Sequence, residues 1–498
     1  MFYFINEYLL AQNSSVEHAA INRVKLFRQA HQPAKIVTKT YDCLLHRNLA
    51  TFGLVADDVV NLFDYFQAAT RVTPRVVRTV DLPLSPELEI RVGANFSRLT
   101  NGDVPVGLVR FVPGTVGRVA AQKFWDPQGN LTAKDLWDWR GFRSATQFFG
   151  QNGQLMAQTY YTPQGDPVIE EYFAANPQGH PVTTRLILVD YQHQGDRYFA
   201  DRDELFTFFL AELSRREPAT FISDRPATGI PALLALGNVA KKVLYLPINH
   251  VTLPGDPRHT ALDGYLQPAF AHLERFDGLV TNTAQQAADI LARYPQARVV
   301  AIPPVALPPL PVVPMGRRRP HSLLYVGRLA ADKRLKQLLR IVALIHQRID
   351  DVTLTLYGYG NPAYVQQLKT LVADLQLTSV VTFAGYTADL AERYDDYQVM
   401  VTVAASDGGP LGMYEALSHG LPVVSTRFDY GPAALIRPGV NGDLVAAGDE
   451  AGAANAIVAL LSDPSRLTRM SLAAYASAQA WTPEKVWRQW RAWLTKGG

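Results

Sequence analysis

Two long stretches of the chain alternate short apolar runs with helical patterns, and this rhythm restricts them to an α/β fold. Over 203–302 the pattern predicts helices at 203–215, 230–240, 267–275 and 284–294, with strands at 220–222, 242–246, 278–281 and 298–302. Over 322–403 it predicts strands at 323–326, 352–356, 380–383 and 399–403, with helices at 333–347 and 363–374. Strands separated by helices form parallel sheets, because each crossover returns the chain to the same edge-to-edge direction. Residues 303–320 carry seven prolines and the run Arg317-Arg318-Arg319. Such a segment is a semi-rigid linker and marks a domain boundary. Its arginine run is readable as a solvated face or as a phosphate site.

The N-terminal 74 residues carry the same rhythm, with a strand at 2–5, a helix at 16–29 capped by Ser14 or Ser15, a strand at 34–38 and a helix at 57–68. From 75 to 201 the texture changes. Aromatic and β-branched runs are punctuated by Asn101-Gly102, Pro127-Gln128-Gly129, Asn152-Gly153, Pro163-Gln164-Gly165 and Pro177-Gln178-Gly179. Regular turn signals between short apolar runs predict an antiparallel meander of hairpins, inserted into the first α/β lobe. The expected division is therefore 1–74 and 202–310 for the first lobe, 75–201 for the insertion, 311–480 for the second lobe, and 481–498 for a last helix with Trp487, Trp490 and Leu494 on one face.

Composition narrows the function classes. A net charge of +3 and a pI near 8.7 are too mild for a dedicated nucleic-acid binder. The single cysteine, Cys43, excludes an intramolecular disulfide framework and a thiolate metal cage within one chain. No apolar run is long enough to span a bilayer, and Met1 to Ile5 run directly into Asn6 and Glu7 rather than into a leader pattern. A cytoplasmic location, with at most peripheral membrane contact, is the expectation. No H-x-x-x-H spacing occurs and no D-x-D metal motif is evident beside a predicted strand, so no metal and no cofactor are expected.

The chemistry concentrates in 403–437. Here a strand end leads to Asp407-Gly408-Gly409-Pro410, a helix beginning near Leu411 and Gly412, and Glu415 about one turn in. Unpaired N–H groups and the dipole of a helix start favour an anion such as a diphosphate. The glycines let it approach the backbone. Glu415 is placed to accept from a ribose diol, and Asp407 from sugar hydroxyls. Upstream, Gly327-Arg328-Leu329 and Lys333 follow the first strand of this lobe, offering a planar fork and a point charge for phosphate oxygens. Gly358 and Gly360 form a tight strand exit, and Gly385-Tyr386 another. In the first lobe, Pro247-Ile248-Asn249-His250 ends a strand, so that His250 is a structural histidine or a ligand contact.

The stretch Asp407 to Ala416 resembles the acid-x7-acid signature of retaining GT-B glycosyltransferases of family 4, and Gly327, Arg328 and Lys333 resemble its G-R-x4-K element. Two departures stand out: Asp407 replaces the usual first glutamate, and Pro410 replaces a glycine and removes a backbone donor. The opening Asn6-Glu7 and Ser14-Ser15-Val16-Glu17-His18-Ala19 are similar to the poly(glycerol-phosphate) α-glucosyltransferase branch, with Ser15 in the place of a glycine. The resemblance implies a GT-B fold of two Rossmann-like lobes and a metal-independent transfer of glucose or N-acetylglucosamine from a UDP-sugar, retaining α configuration by front-face displacement. It implies His250, Asp407, Arg328 and Lys333 as catalytic residues. Ser15, Gly327, Gly358, Gly360, Tyr386, Gly408, Gly409, Leu411, Gly412 and Glu415 are implied as donor contacts, Ser15 being readable equally as a helix cap. The acceptor implied is a teichoic-acid-type polyol-phosphate polymer, or else a serine-rich protein. The insertion is implied in acceptor binding, or in contacts with further copies or a partner subunit. A rival expectation is a silent glycosyltransferase-like subunit that stabilises an active partner or presents its acceptor, and a sugar-nucleotide epimerase of the same fold is a third.

Overall fold

The computed structural model describes residues 1–252 and 255–495. The chain forms two compact units. The first comprises Met1–Ala11, Lys35–Ala219 and Pro231–Ala240; the second comprises Gln12–Ala34, Thr220–Ile230 and the described residues from Lys241 onward.

In the first unit, strands Glu89–Val92, Phe96–Asn101, Val104–Phe111, Val119–Trp125, Leu131–Trp137, Arg143–Phe149, Leu155–Tyr161, Pro167–Ala175, Pro181–Leu188 and Arg197–Phe199 form one ten-stranded sheet in sequential order. Adjacent strands pair antiparallel throughout. The turn signals read from sequence fall between these strands. Gly129 and Gly165 take φ of +84° and +103°, values that a residue with a Cβ rarely adopts. A buried ion cluster lies at the root of the sheet: the Arg140 guanidinium donates to Asp138 and to Asp64, each at 2.7 Å, with Arg140 only 2% exposed.

The helix expected over 57–68 is instead a turn (Ala56–Asp58), a strand (Val59–Asn61) and a short helix (Leu62–Phe66). The β-branched pair Val59-Val60 aligns parallel to Ile36 and Val37, and the Asn61 side chain then accepts from the Phe63 and Asp64 amides as a helix cap. Tertiary pairing has overridden a helical period here. The helix expected over 230–240 runs Pro226–Ala235; proline suits a first helical position and Gly237 follows its end.

The second unit carries two parallel sets. Strands Thr220–Ser223, Lys241–Leu246, Gly278–Thr281 and Val299–Ala301 pair in that order. A separate six-stranded sheet has the order Val381–Gly385, Thr353–Tyr357, Ser322–Val326, Val399–Thr402, Val423–Thr426, Gly442–Val445, all parallel. Its order reverses between Ser322–Val326 and Val399–Thr402. The crevice outside the carboxyl ends of two such strands is where open α/β sheets bind ligands, and here those ends are Gly327 and the 403–410 loop.

The last helix is Pro483–Thr495, and residues 496–498 of the expected terminal segment lie outside the described residues. Its Trp490 is 1% exposed, packs edge-on to Phe27 at 5.6 Å, and lies under the Arg23 guanidinium at 5.3 Å. Trp490→Ala is expected to cost about 3–5 kcal/mol, the range for truncating a buried aromatic. Chemical denaturation monitored by circular dichroism measures this loss.

Candidate donor site

Every candidate side chain named from sequence lies in the second unit. The helix that follows the glycine-rich loop runs Leu411–Ser418, with Pro410 at its cap position. Within the loop, the Asp407 carboxylate accepts from the Gly409 amide at 3.2 Å and from the Lys333 ammonium at 2.9 Å. Lys333 also donates to the Ser406 carbonyl at 3.1 Å, and is 9% exposed. Sequence placed Lys333 at a helix start. The structure places it on the turn Ala331–Lys333, and Arg334, at φ +51°, breaks the backbone before helix Leu335–His346 begins. That break directs the ammonium toward the loop acid. Arg328 is half exposed and ion-pairs with Asp332 at 3.1 Å.

The glycines have reasons of their own. A Cβ on Gly358 would stand 1.9 Å from the Gly327 carbonyl oxygen, and one on Gly360 2.0 Å from that of Leu329. The amides of Gly327 and Leu329 donate to the Tyr357 and Tyr359 carbonyls. Gly358 and Gly360 therefore let one strand exit lie directly on another, a role that needs no ligand. A Cβ on Gly408 would strike the Pro247 carbonyl at 2.3 Å, and one on Gly409 the Asn282 amide at 2.3 Å. Gly412 packs its helix against Val326 and Met400.

His250 is fully buried, and neither ring nitrogen has a hydrogen-bond partner among the described residues. Asn249 Oδ1 and Gln286 Oε1 are likewise buried and unpartnered. The imidazole lies by the rings of Tyr430 at 5.5 Å and Phe270 at 6.3 Å. Burial lowers its pKa to about 4, against the pull of Asp289, so the ring is neutral near pH 7. Buried polar atoms are almost always satisfied by protein, water or a bound group, so these three side chains are candidates for a ligand contact.

Glu415 gives one oxygen to the Tyr394 hydroxyl at 2.6 Å, and burial raises its carboxyl pKa. Tyr386 accepts from the Asn13 amide at 3.4 Å, stands 3.1 Å from His18 Nε2, and meets Tyr359 edge-on. Ser15 is exposed at the first position of helix Ser15–Gln29, and the cap is Ser14, which forms a reciprocal box with Glu17. Arg225 donates to both Glu17 and Ser14.

Sequence reading missed the residue that fixes the loop. Asn282 Nδ2 donates to the Gly408 carbonyl at 2.5 Å, and its Oδ1 accepts from the Tyr245 hydroxyl. Tyr245 stacks under Arg23 at 4.1 Å, and Arg23 pairs with Asp224. Removing Asn282 frees a buried carbonyl and the loop with it. Asn282→Ala is expected to speed amide exchange across 407–410 about 10-fold or more, read by hydrogen–deuterium exchange beside a thermal melt.

Residues 320–463 match the family described as Glycosyl transferases group 1, and residues 4–202 match a family of accessory Sec system proteins. Over its full length the chain superposes on the pneumococcal O-GlcNAc transferase GtfA in complex with UDP and GlcNAc, with a TM-score of 0.87 at 20% identity, covering 98% of that chain. It superposes on Staphylococcus aureus TarM bound to fondaparinux, alpha-GlcNAc-glycerol and UDP with a TM-score of 0.82 at 18% identity, covering 99% of each chain. The fold is GT-B. The segment matched by the glycosyl transferase family contains Arg328, Lys333, Asp407 and Glu415, while His250 lies outside it. In sequence, the chain is 27% identical over 250 residues to the GtfA subunit of the UDP-N-acetylglucosamine–peptide N-acetylglucosaminyltransferase of Streptococcus parasanguinis, covering 49% of each. It is 25% identical over 170 residues to the poly(glycerol-phosphate) alpha-glucosyltransferase of Bacillus subtilis, covering 34% of this chain and 25% of that one. The match spans about half the length of the first of these relatives and a quarter of the second. Among the described residues no helix is long and apolar enough to cross a membrane.

Proposed function

We propose that the chain is a UDP-sugar-dependent hexosyltransferase that moves N-acetylglucosamine, or else glucose, to a hydroxyl acceptor. The observation that carries this reading is the unsatisfied cluster of Asn249, His250 and Gln286, in the same unit as the Lys333–Asp407 pair and the glycine-rich loop. A hexose offers hydroxyls to the first group, and a diphosphate offers oxygens to the second.

In this reading the sugar's hydroxyls bond to the neutral His250 ring and to the Asp407 carboxylate. Lys333, Arg328 and the Leu411–Ser418 helix start counter the charge that grows on the leaving diphosphate. Glu415 keeps one carboxylate oxygen for the ribose diol. Configuration is retained by front-face displacement: the C1–O bond to the diphosphate breaks, the acceptor oxygen bonds to C1 on the same face, and the acceptor proton passes to the leaving phosphate oxygen. The protein's share is positioning and electrostatics, and no metal is required.

We take a polypeptide as the first acceptor class, supported by the match to a subunit of a peptide N-acetylglucosaminyltransferase, and a polyol-phosphate polymer as the second. A second reading, a silent subunit serving a partner, draws on the match of 4–202 to an accessory secretion protein and on Pro410, which removes one loop donor. Calorimetric titration of the purified chain with UDP, UDP-N-acetylglucosamine and UDP-glucose, followed by assay of donor hydrolysis and transfer to each acceptor class, separates them. UDP binding with slow hydrolysis of one donor supports the enzyme. A chain that binds no nucleotide would be the silent subunit.

A further inference from the structure

The ten-stranded sheet carries a cavity of about 690 Å³ that the donor chemistry does not use. It opens on the face of the strands from Phe96–Asn101 to Arg143–Phe149, walled by the 83–88 segment and the 163–165 turn. This is the size of a small-ligand pocket. Phe124, Trp125, Trp137 and Phe142 line it, together with Gln122 and Asp135.

One of its polar groups is unspent. Trp137 is 7% exposed, and its indole Nε1–H, buried, has no acceptor among the described residues. Gln122 is 4% exposed and lines the same cavity. Asp135 is 8% exposed, and Thr146 donates to its Oδ1 at 2.5 Å. A buried indole N–H without a partner carries a desolvation cost that a bound acceptor removes. These groups sit on paired strands, so their spacing is fixed before any ligand arrives.

We propose that this cavity is a saccharide-binding site that takes one neutral pyranose ring of a glycan. The C–H face of a pyranose lies flat on aromatic rings, while its hydroxyls both donate and accept. The indole N–H can take an acceptor, the Asp135 carboxylate a donor, and the Gln122 amide either. An anionic polymer is disfavoured by Asp135. At the rim, Arg75 donates to the Gly141 carbonyl at 2.9 Å, and Arg143 lies over the Tyr161 ring at 4.4 Å. An extended peptide is disfavoured because backbone groups in a paired sheet face are committed to neighbouring strands. The site lies in the unit that does not carry the donor groups, and its binding does not depend on the hexosyltransferase reading.

The test is saturation-transfer NMR and calorimetry on the full chain, saturated with UDP, using methyl α-glycosides of N-acetylglucosamine, glucose and galactose. At least one glycoside is expected to bind. Trp137→Phe, which keeps the ring and deletes the N–H, should weaken it about 5-fold or more, as should Gln122→Ala. Thermal melts show that each variant is folded, and Lys333→Ala should leave glycoside binding unchanged. Absence of binding by all three glycosides, or binding indifferent to both cavity variants, overturns the proposal. UDP titration of the same variants keeps this result separate from the fate of the donor site.

Discussion

His250→Ala is expected to lower the turnover number by about 10²-fold or more while UDP affinity stays within a few-fold, the pattern of a contact made to the transferred sugar rather than to the nucleotide. The reason is the state of the ring. Both nitrogens are buried and have no partner among the described residues, so under the proposed function a sugar hydroxyl would meet a group with no competing protein partner. The same fact sets the sign of the stability change. His250→Phe removes two unsatisfied polar atoms from an apolar niche beside Phe270 and Tyr430, and is expected to leave the melting temperature unchanged or raise it. A structural histidine would behave oppositely, with stability falling and turnover following it.

The pH profile checks the same assignment. Burial holds the imidazole pKa at about 4, against about 6.5 in an unfolded chain. Below 6.5 the unfolded state binds the proton that the folded state refuses, so this group's contribution to stability is complete above 6.5 and is lost as pH falls through 4. Turnover limited by neutral His250 should therefore show no break near 6.5 and an acid limb near 4, a limb missing from the His250→Phe variant.

Much of this site was readable because its signals are local. The run from Asp407 to Ala416 combines loop glycines, a helix start and two acids within ten positions, and the helix begins at Leu411, where the sequence implies. The hairpin insertion was readable for the same reason, since each turn announces itself within three residues. What sequence could not show are pairings between distant segments. Asn282 and Gly408 are 126 residues apart, and Arg23 and Asp224 are 201 apart. Nothing near Asn282 distinguishes it from an ordinary polar residue at a strand end. Gly358 and Gly360 teach a subtler point: their smallness is required, but by the backbone of a neighbouring strand exit rather than by a ligand. Val59-Val60 was misread because a short β-branched pair inside a helical period is decided by its partner strand.

Lys333 and Asp407 give the second large effect, with opposite signs at the two ends of one ion pair. Lys333→Ala is expected to weaken UDP binding about 10- to 100-fold, the range for losing a charge-assisted bond to phosphate. Removing the ammonium also leaves the Asp407 carboxylate, which Lys333 holds at 2.9 Å, facing the diphosphate with its charge uncompensated. Asp407→Asn does the reverse. It frees the ammonium from a competing anion, so UDP binding should tighten several-fold. Turnover should fall, because the amide presents one acceptor and one donor where the sugar hydroxyls need two acceptors. Calorimetry with UDP and steady-state transfer assays on both variants measure the two arms independently. If Asp407→Asn weakens UDP binding as Lys333→Ala does, the pair is a scaffold for the loop, and the diphosphate lies elsewhere.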